Sequence, residues 1–144
     1  DVLRLFEPQI RGRAIRLETV LQPDLPLVRG HRGKLQQVLL NLLLNARDAV
    51  GREGRIALST GRVDDKVTVE VSDDGIGIAE EDLPRIFDPF FTTKGRGKGT
   101  GLGLSITYGI VREHEGEIQA ESVPTEVTLF RVTLPVARSE QALA

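Results

Sequence analysis

Residues 92–108 read TTKGRGKGTGLGLSITY. Glycine falls on every second position from Gly95 to Gly103, with Lys94 just before the first of them and Arg96 and Lys98 between the next. Leu102, Leu104, Ile106 and Ile110 then recur at helical steps. A basic, glycine-rich segment that runs into a helix start is an anion site. Glycine lets the backbone come close to a ligand, the first helical N–H groups have no partner, and the helix dipole favours negative charge. A phosphate chain is the natural ligand. The stretch is not one of the two commonest phosphate loops: Gly97-Lys98 is followed by Gly99 where Ser or Thr is required, and no register gives G-x-G-x-x-G. Taken alone, such a run reads equally well as a linker. Its surroundings decide.

Upstream, residues 34–50 carry the strongest helical pattern of the chain. Leu35, Val38, Leu39, Leu42, Ala46, Ala49 and Val50 form the apolar stripe, and Gly51 is a natural stop. The opposite stripe holds Lys34, Gln37, Asn41, Asn45 and Asp48. Two asparagines one turn apart are unusual in a helix body, because asparagine favours caps and turns. Residues 55–63 and 66–72 alternate as a hairpin turning at Asp64-Asp65, and the second strand runs into Asp73-Asp74-Gly75-Ile76-Gly77. A short helix is expected over residues 79–85, and Phe87, Phe90 and Phe91 lead into the glycine run. Beyond it the helix continues to His114, followed by strands at 116–120 and 127–134 that join through 123–125. At the start of the chain, a helix over 2–10, a strand over 14–21, a short strand at Leu27-Val28 and a turn over 29–33 complete the pattern. These elements predict one domain over residues 1–136, a two-layer α+β sandwich with helices on one face of a mixed sheet, and a frayed tail over 137–144.

The bulk numbers agree and exclude. A chain of 144 residues is large enough for a real core. A net charge of -2 gives no support for a nucleic-acid partner. Without cysteine there is no disulfide frame and no thiolate metal site. No apolar run approaches the roughly 20 residues of a membrane span. The chain begins at Asp1 and contains no methionine, which is expected of a piece excised from a longer protein.

Four blocks stand in order: QVLLNLLLNARDAV, DDGIGI, IFDPFFTTK and GKGTGLGLSI. Together they resemble the N, G1, F and G2 boxes of the catalytic ATP-binding domain of sensor histidine kinases, within the GHKL (HATPase_c) superfamily. GEIQAESVPTEVTLFRVTLP resembles that domain's last two strands, so the resemblance covers nearly the whole chain. It implies a Bergerat-type fold, ATP and Mg²⁺. It assigns the metal to Asn45 and the neighbouring phosphates to Asn41, with Lys94 as the first candidate for phosphate neutralisation. Asp73 takes the adenine amine, assisted by Thr128, with Gly75 and Gly77 passing close to the base. Asp48, Phe87, Thr93, Gly99, Thr100, Gly101, Leu102, Gly103 and Leu104 complete the nucleotide set. The physics of two assignments stands by itself. Mg²⁺ takes hard oxygen ligands beside waters and phosphates, so a neutral amide oxygen is a sensible share. A carboxylate at Asp73 accepts from adenine but meets the guanine carbonyl as acceptor against acceptor. The sequence also departs from the family pattern. Asp48 stands where many members carry Lys or Arg, His31 where Asp is common, Glu115 where the first glycine of His-Gly-Gly is usual, and Thr125 and Val127 replace two glycines of the last turn.

The superfamily's ATP hydrolases and serine kinases place a glutamate one turn before the metal-binding asparagine, as general base. Here that position is Asn41, and an amide takes no proton. A neutral imidazole already has its lone pair, so Asn41 favours transfer to histidine. A GHKL-type ATPase, a protein-serine kinase and a non-catalytic nucleotide-binding module are the alternatives. Neither His31 nor His114 lies in anything like an acceptor helix. The resemblance therefore implies an acceptor histidine on a separate dimerisation hairpin of the parent protein, and a response regulator receiver domain as the onward partner. It also implies a monomeric, cytoplasmic fragment, and leaves open whether the parent is anchored in the bacterial inner membrane.

Overall fold

The computed structural model describes residues 2–26, 28–88, 103–123 and 126–137. Its helices are α1 (Val2–Ile10), α2 (Arg32–Val50) and α3 (Gly103–Glu113), and its strands β1 (Ala14–Leu21), β2 (Glu53–Val63), β3 (Lys66–Asp73), β4 (Glu117–Val123) and β5 (Val127–Pro135). The strands lie side by side in the order β1-β2-β3-β5-β4. β1 and β2 run parallel, because α2 carries the chain back across the sheet between them, and the remaining neighbours are antiparallel. The expected two-layer α+β sandwich with a mixed sheet is the fold observed.

Strand alternation decides which layer meets the helices. Ile56 and Leu58 of β2, Val67 and Val71 of β3, Phe130, Val132 and Leu134 of β5, and Ile118 of β4 are all buried, and the register places them on one face. Phe6 of α1, Val38, Leu42, Leu43 and Ala46 of α2, and Val111 of α3 close the same core. The other face is polar. There Arg131 Nε donates to Glu70 Oε2 at 2.7 Å across β3 and β5, and Arg55 meets Glu18 at 3.4 Å.

The two histidines are structural and meet each other. His31 is the N-cap of α2, its Nδ1 accepting the Lys34 N–H at 3.2 Å. His114, just past the end of α3, uses Nδ1 against the Ile110 carbonyl at 2.7 Å. A carbonyl only accepts, so Nδ1 carries the proton and Nε2 is free to accept the His31 backbone N–H at 3.0 Å. One imidazole thereby ties the end of α3 to the start of α2. Gly30 leaves room for it, since a Cβ there would lie 2.2 Å from His114 Cδ2. Helix α3 then ends in a Schellman turn. The Gly116 N–H bonds the Val111 carbonyl and the Glu115 N–H the Arg112 carbonyl, with Glu115 at φ +60°. The glutamate that replaces the expected glycine thus occupies a glycine's conformation.

Several boundaries differ from the sequence reading. Residues 79–85 do not form an α-helix: turns lead to a single 3-10 turn, Leu83–Arg85. Pro84 has no N–H and disfavours the α conformation at Leu83, so the ladder cannot propagate. α2 starts at Arg32 and β2 at Glu53, two residues early in each case relative to 34 and 55, and β4 runs on to Val123. Val28 makes one bridge, to Val136; Leu27, the junction at 124–125 and the tail from 138 on lie outside the described residues.

Candidate nucleotide site

Asp73 is the last residue of β3 and its side chain lies on the helix-facing side of the sheet, only 4% exposed. Its cross-strand partner on β5 is Thr128, 3% exposed, whose own partner on β4 is Ser122. The three form a polar row where the sheet's apolar row would otherwise continue. Ser122 Oγ lies 2.9 Å from Thr128 Oγ1 and accepts the Ile78 N–H at 2.9 Å. Asp73 Oδ1 accepts the Gly75 N–H at 2.9 Å. Burial pushes the Asp73 carboxyl up to about 6; the Gly75 N–H pulls it part of the way back, and the charge of Asp74 adds to the rise. Asp74 points the other way, its Oδ1 accepting the Arg55 N–H at 2.8 Å. Of two consecutive aspartates, strand alternation has buried one and exposed the other.

The turn after β3 is pressed onto the end of α2. A Cβ on Gly75 would lie 2.4 Å from the Ala49 carbonyl oxygen, and the Ile76 N–H donates to that oxygen at 3.1 Å. Gly75 is therefore required by the approach of two backbones within the fold. Gly77 takes φ +80°, in the left-handed region. Ala49 is four residues after Asn45, on the same face of the helix, so this contact brings the Asp73 turn to the asparagine stripe. Asp48 is held by its neighbour: Arg47 Nε and Nη2 donate to Asp48 Oδ1 at 3.1 and 3.0 Å, while Arg47 Nη1 reaches Gln9 Oε1 at 2.9 Å.

The first turn of α3 adds the third side. Asn41 Nδ2 donates to Thr107 Oγ1 at 3.3 Å, and Thr107 Oγ1 donates to the Gly103 carbonyl at 2.8 Å. Gly103 and Leu104 form the N-terminus of this helix. Phe87 packs between α3 and β5, its ring centroid 5.5 Å from Tyr108 and 6.4 Å from Phe130. Thr93, Lys94, Gly99, Thr100, Gly101 and Leu102, with Phe90 and Phe91, lie outside the described residues. Asp73, Thr128, Gly75, Asn45, Asn41 and Gly103 thus come together from four elements at one end of the sandwich.

Two residues of this end escape a motif reading. Ser122 and Thr107 stand outside the four blocks' named positions, yet both leave a trace. Ser122 breaks an inward series with Ile118 and Ala120, and Thr107 interrupts the apolar stripe of Leu104, Ile110 and Val111. A polar residue in a buried series needs a partner.

The model of the histidine kinase-, DNA gyrase B- and HSP90-like ATPase family matches residues 30–138. The chain belongs to this family. Within it, the similar proteins are histidine kinases. The sensor histidine kinase ZraS of Klebsiella oxytoca is 44% identical over 135 residues, covering 93% of this chain. The chain spans 29% of that kinase's length. The catalytic domain of histidine kinase ThkA superposes with a TM-score of 0.84 at 38% identity, over 94% of this chain and 88% of that domain. The same kinase in complex with the response regulator protein TrrA gives 0.79 at 35% identity, over 94% of this chain and 38% of that one. Full-length ShkA in complex with AMPPNP gives 0.84 at 27% identity, over 96% of this chain and 29% of that one. The fold is that of a histidine-kinase ATP-binding catalytic domain.

Proposed function

We propose that the chain binds ATP with Mg²⁺ and delivers the γ-phosphoryl group to a histidine on a separate helical hairpin of its parent protein. The observation that carries the nucleotide reading is Asp73. A carboxylate 4% exposed at a strand end, with no salt-bridge partner among the described residues, is costly unless a ligand meets it. The adenine exocyclic amine is a donor of the required kind. Thr128 and Ser122 supply hydroxyls beside it.

The polar donors suit a metal that arrives with a polyphosphate. No group of three or more His, Cys, Asp or Glu side chains among the described residues could hold an ion by itself. Asn45, with Asn41 one turn before, offers neutral hard oxygens, and the nucleotide's own oxygens complete such a set. When bound, Mg²⁺ would neutralise phosphate charge. Gly103 and Leu104 open α3, and a helix start suits phosphate oxygens. Lys94, Thr93 and residues 99–102 are assigned to the same phosphates through the family resemblance.

Transfer then rests on positioning and charge neutralisation. Asn41 supplies no general base, and a neutral imidazole acceptor, which already has a lone pair, needs little help. His31 and His114 are both engaged in helix-end hydrogen bonds, which supports an acceptor elsewhere. The response regulator is the onward partner in this reading. Incubated alone with γ-labelled ATP, the domain should bind nucleotide and keep no label. Adding the parent's phosphoacceptor hairpin should yield an acid-labile, base-stable phosphoramidate, slowly because a separate chain lacks the effective concentration of a tethered one. Acid-stable labelling of the isolated domain would identify a serine or threonine kinase and overturn the reading.

A further inference from the structure

Thr107 is fully buried on α3, beneath the asparagine stripe of α2. Its hydroxyl has one proton. Thr107 Oγ1 and the Gly103 carbonyl oxygen lie 2.8 Å apart, which requires a proton between them, and the carbonyl has none. The hydroxyl proton is thereby committed to Gly103. Toward Asn41, Oγ1 can only accept. The atom of Asn41 that faces it at 3.3 Å must be the amide nitrogen, so the orientation of the carboxamide follows from donor bookkeeping and not from its shape. Oδ1 then points away from Thr107 and has no partner among the described residues.

We propose that Thr107 is a positioning residue which locks the Asn41 carboxamide with its oxygen presented to the metal–phosphate end of the site. The inference rests on the nucleotide reading of that site. A free carboxamide presents oxygen or nitrogen with nearly equal ease, since the two ends have the same shape. At a site that holds phosphate oxygens and a cation, the two orientations are opposite in sign. The oxygen suits a cation or the water bound to it and the nitrogen suits phosphate, so the lock gives Asn41 to the cation rather than directly to the phosphates that the family resemblance assigns it. Thr107 removes the ambiguity before ligand arrives. It also ties the choice to the first residue of α3, because the same hydroxyl holds the Gly103 carbonyl.

The test compares Thr107→Val, which keeps the shape and removes the hydroxyl, with Thr107→Ser, which keeps it. Affinities for ATP with Mg²⁺ and for metal-free adenosine are measured by calorimetry in the domain. Thr107→Val should weaken Mg²⁺–ATP by about five- to tenfold and leave adenosine unchanged, and Thr107→Ser should match the wild type. In the Asn41→Ala background, Thr107→Val should have no further effect on Mg²⁺–ATP. Equal loss with adenosine, additivity with Asn41→Ala, or failure of Thr107→Ser to match the wild type overturns the inference. On the unsubstituted protein, the Asn41 carboxamide protons should show a nuclear Overhauser contact to the Thr107 methyl group, and its absence overturns the inference without any variant. A wild-type domain that binds no ATP overturns the nucleotide reading as well. A wild type that binds ATP beside an unaffected Thr107→Val variant overturns this inference alone.

Discussion

Asp73 is held against its own solvation, and the consequence can be given a sign. Its folded carboxyl sits at about 6 against an ordinary 3.8, so the native state holds the proton more tightly than the unfolded chain. The group's contribution to stability is fully present below about pH 4 and is lost as pH rises through 6. Asp73→Asn keeps an acceptor for the Gly75 N–H and removes the buried charge. It should stabilise the nucleotide-free domain at pH 7.5 by up to about 2–3 kcal/mol while weakening ATP by about 1–3 kcal/mol. Thermal melts at pH 5 and 7.5 check the first claim, with the gain at pH 5 about half of that at pH 7.5; calorimetry checks the second. Glu115 is a different kind of residue-scale feature, an ordinary side chain at φ +60°. Glu115→Gly should raise stability by about 1 kcal/mol, read as an increased melting temperature with unchanged ATP affinity. The sequence marks this position as a departure from the family's glycine, but only the backbone shows that the glycine conformation was retained.

At the scale of elements, the site depends on how closely β3 and α2 meet. Gly75 admits the Ala49 carbonyl at a distance no Cβ allows. Gly75→Ala forces the turn after β3 away from α2, so stability should fall by about 1–3 kcal/mol, the range for overpacking. Because the same contact carries Asp73 toward Asn45, ATP affinity should fall as well. Denaturant melts and calorimetry on one preparation test both, and a stable variant with unchanged affinity would contradict the coupling. α2 itself was legible from its apolar repeat and asparagine stripe. Its start was not, because the cap is a histidine, a residue outside the usual capping set. Ala79, Leu83 and Ile86 are spaced as in a helix, and the missing N–H of Pro84 decides against one over residues 79–85.

At the scale of the whole molecule, nucleotide binding and folding are linked. A ligand bound only by the folded domain raises its stability by RT ln(1 + [L]/Kd), about 2.7 kcal/mol at a hundredfold excess over Kd. Mg²⁺–ATP should therefore raise the melting temperature and Mg²⁺–GTP should not, on the proposal that Asp73 accepts from the adenine amine. Scanning fluorimetry at matched concentrations tests this, and equal shifts would remove the adenine assignment. The sandwich sets the geometry for such linkage. Asp73, Thr128, Asn45, Asn41 and Gly103 come from four elements, which are brought side by side only when the sheet and helices pack.

The sequence alone determined the helices and strands whose period is unambiguous and the two-layer class, and it supplied the residues proposed for the nucleotide site. Those are local properties, since period and box chemistry are written in consecutive residues. The tertiary structure alone decided what Gly75 approaches, that Thr107 faces Asn41, and that His114 ties the end of α3 to the start of α2. Each is a contact between residues far apart in the chain. Thr107 and Asn41 are separated by 66 positions and the two histidines by 83. Hydrogen-bond donors and acceptors at such separations find each other only through the packing of the elements that carry them, and no one-dimensional pattern records it.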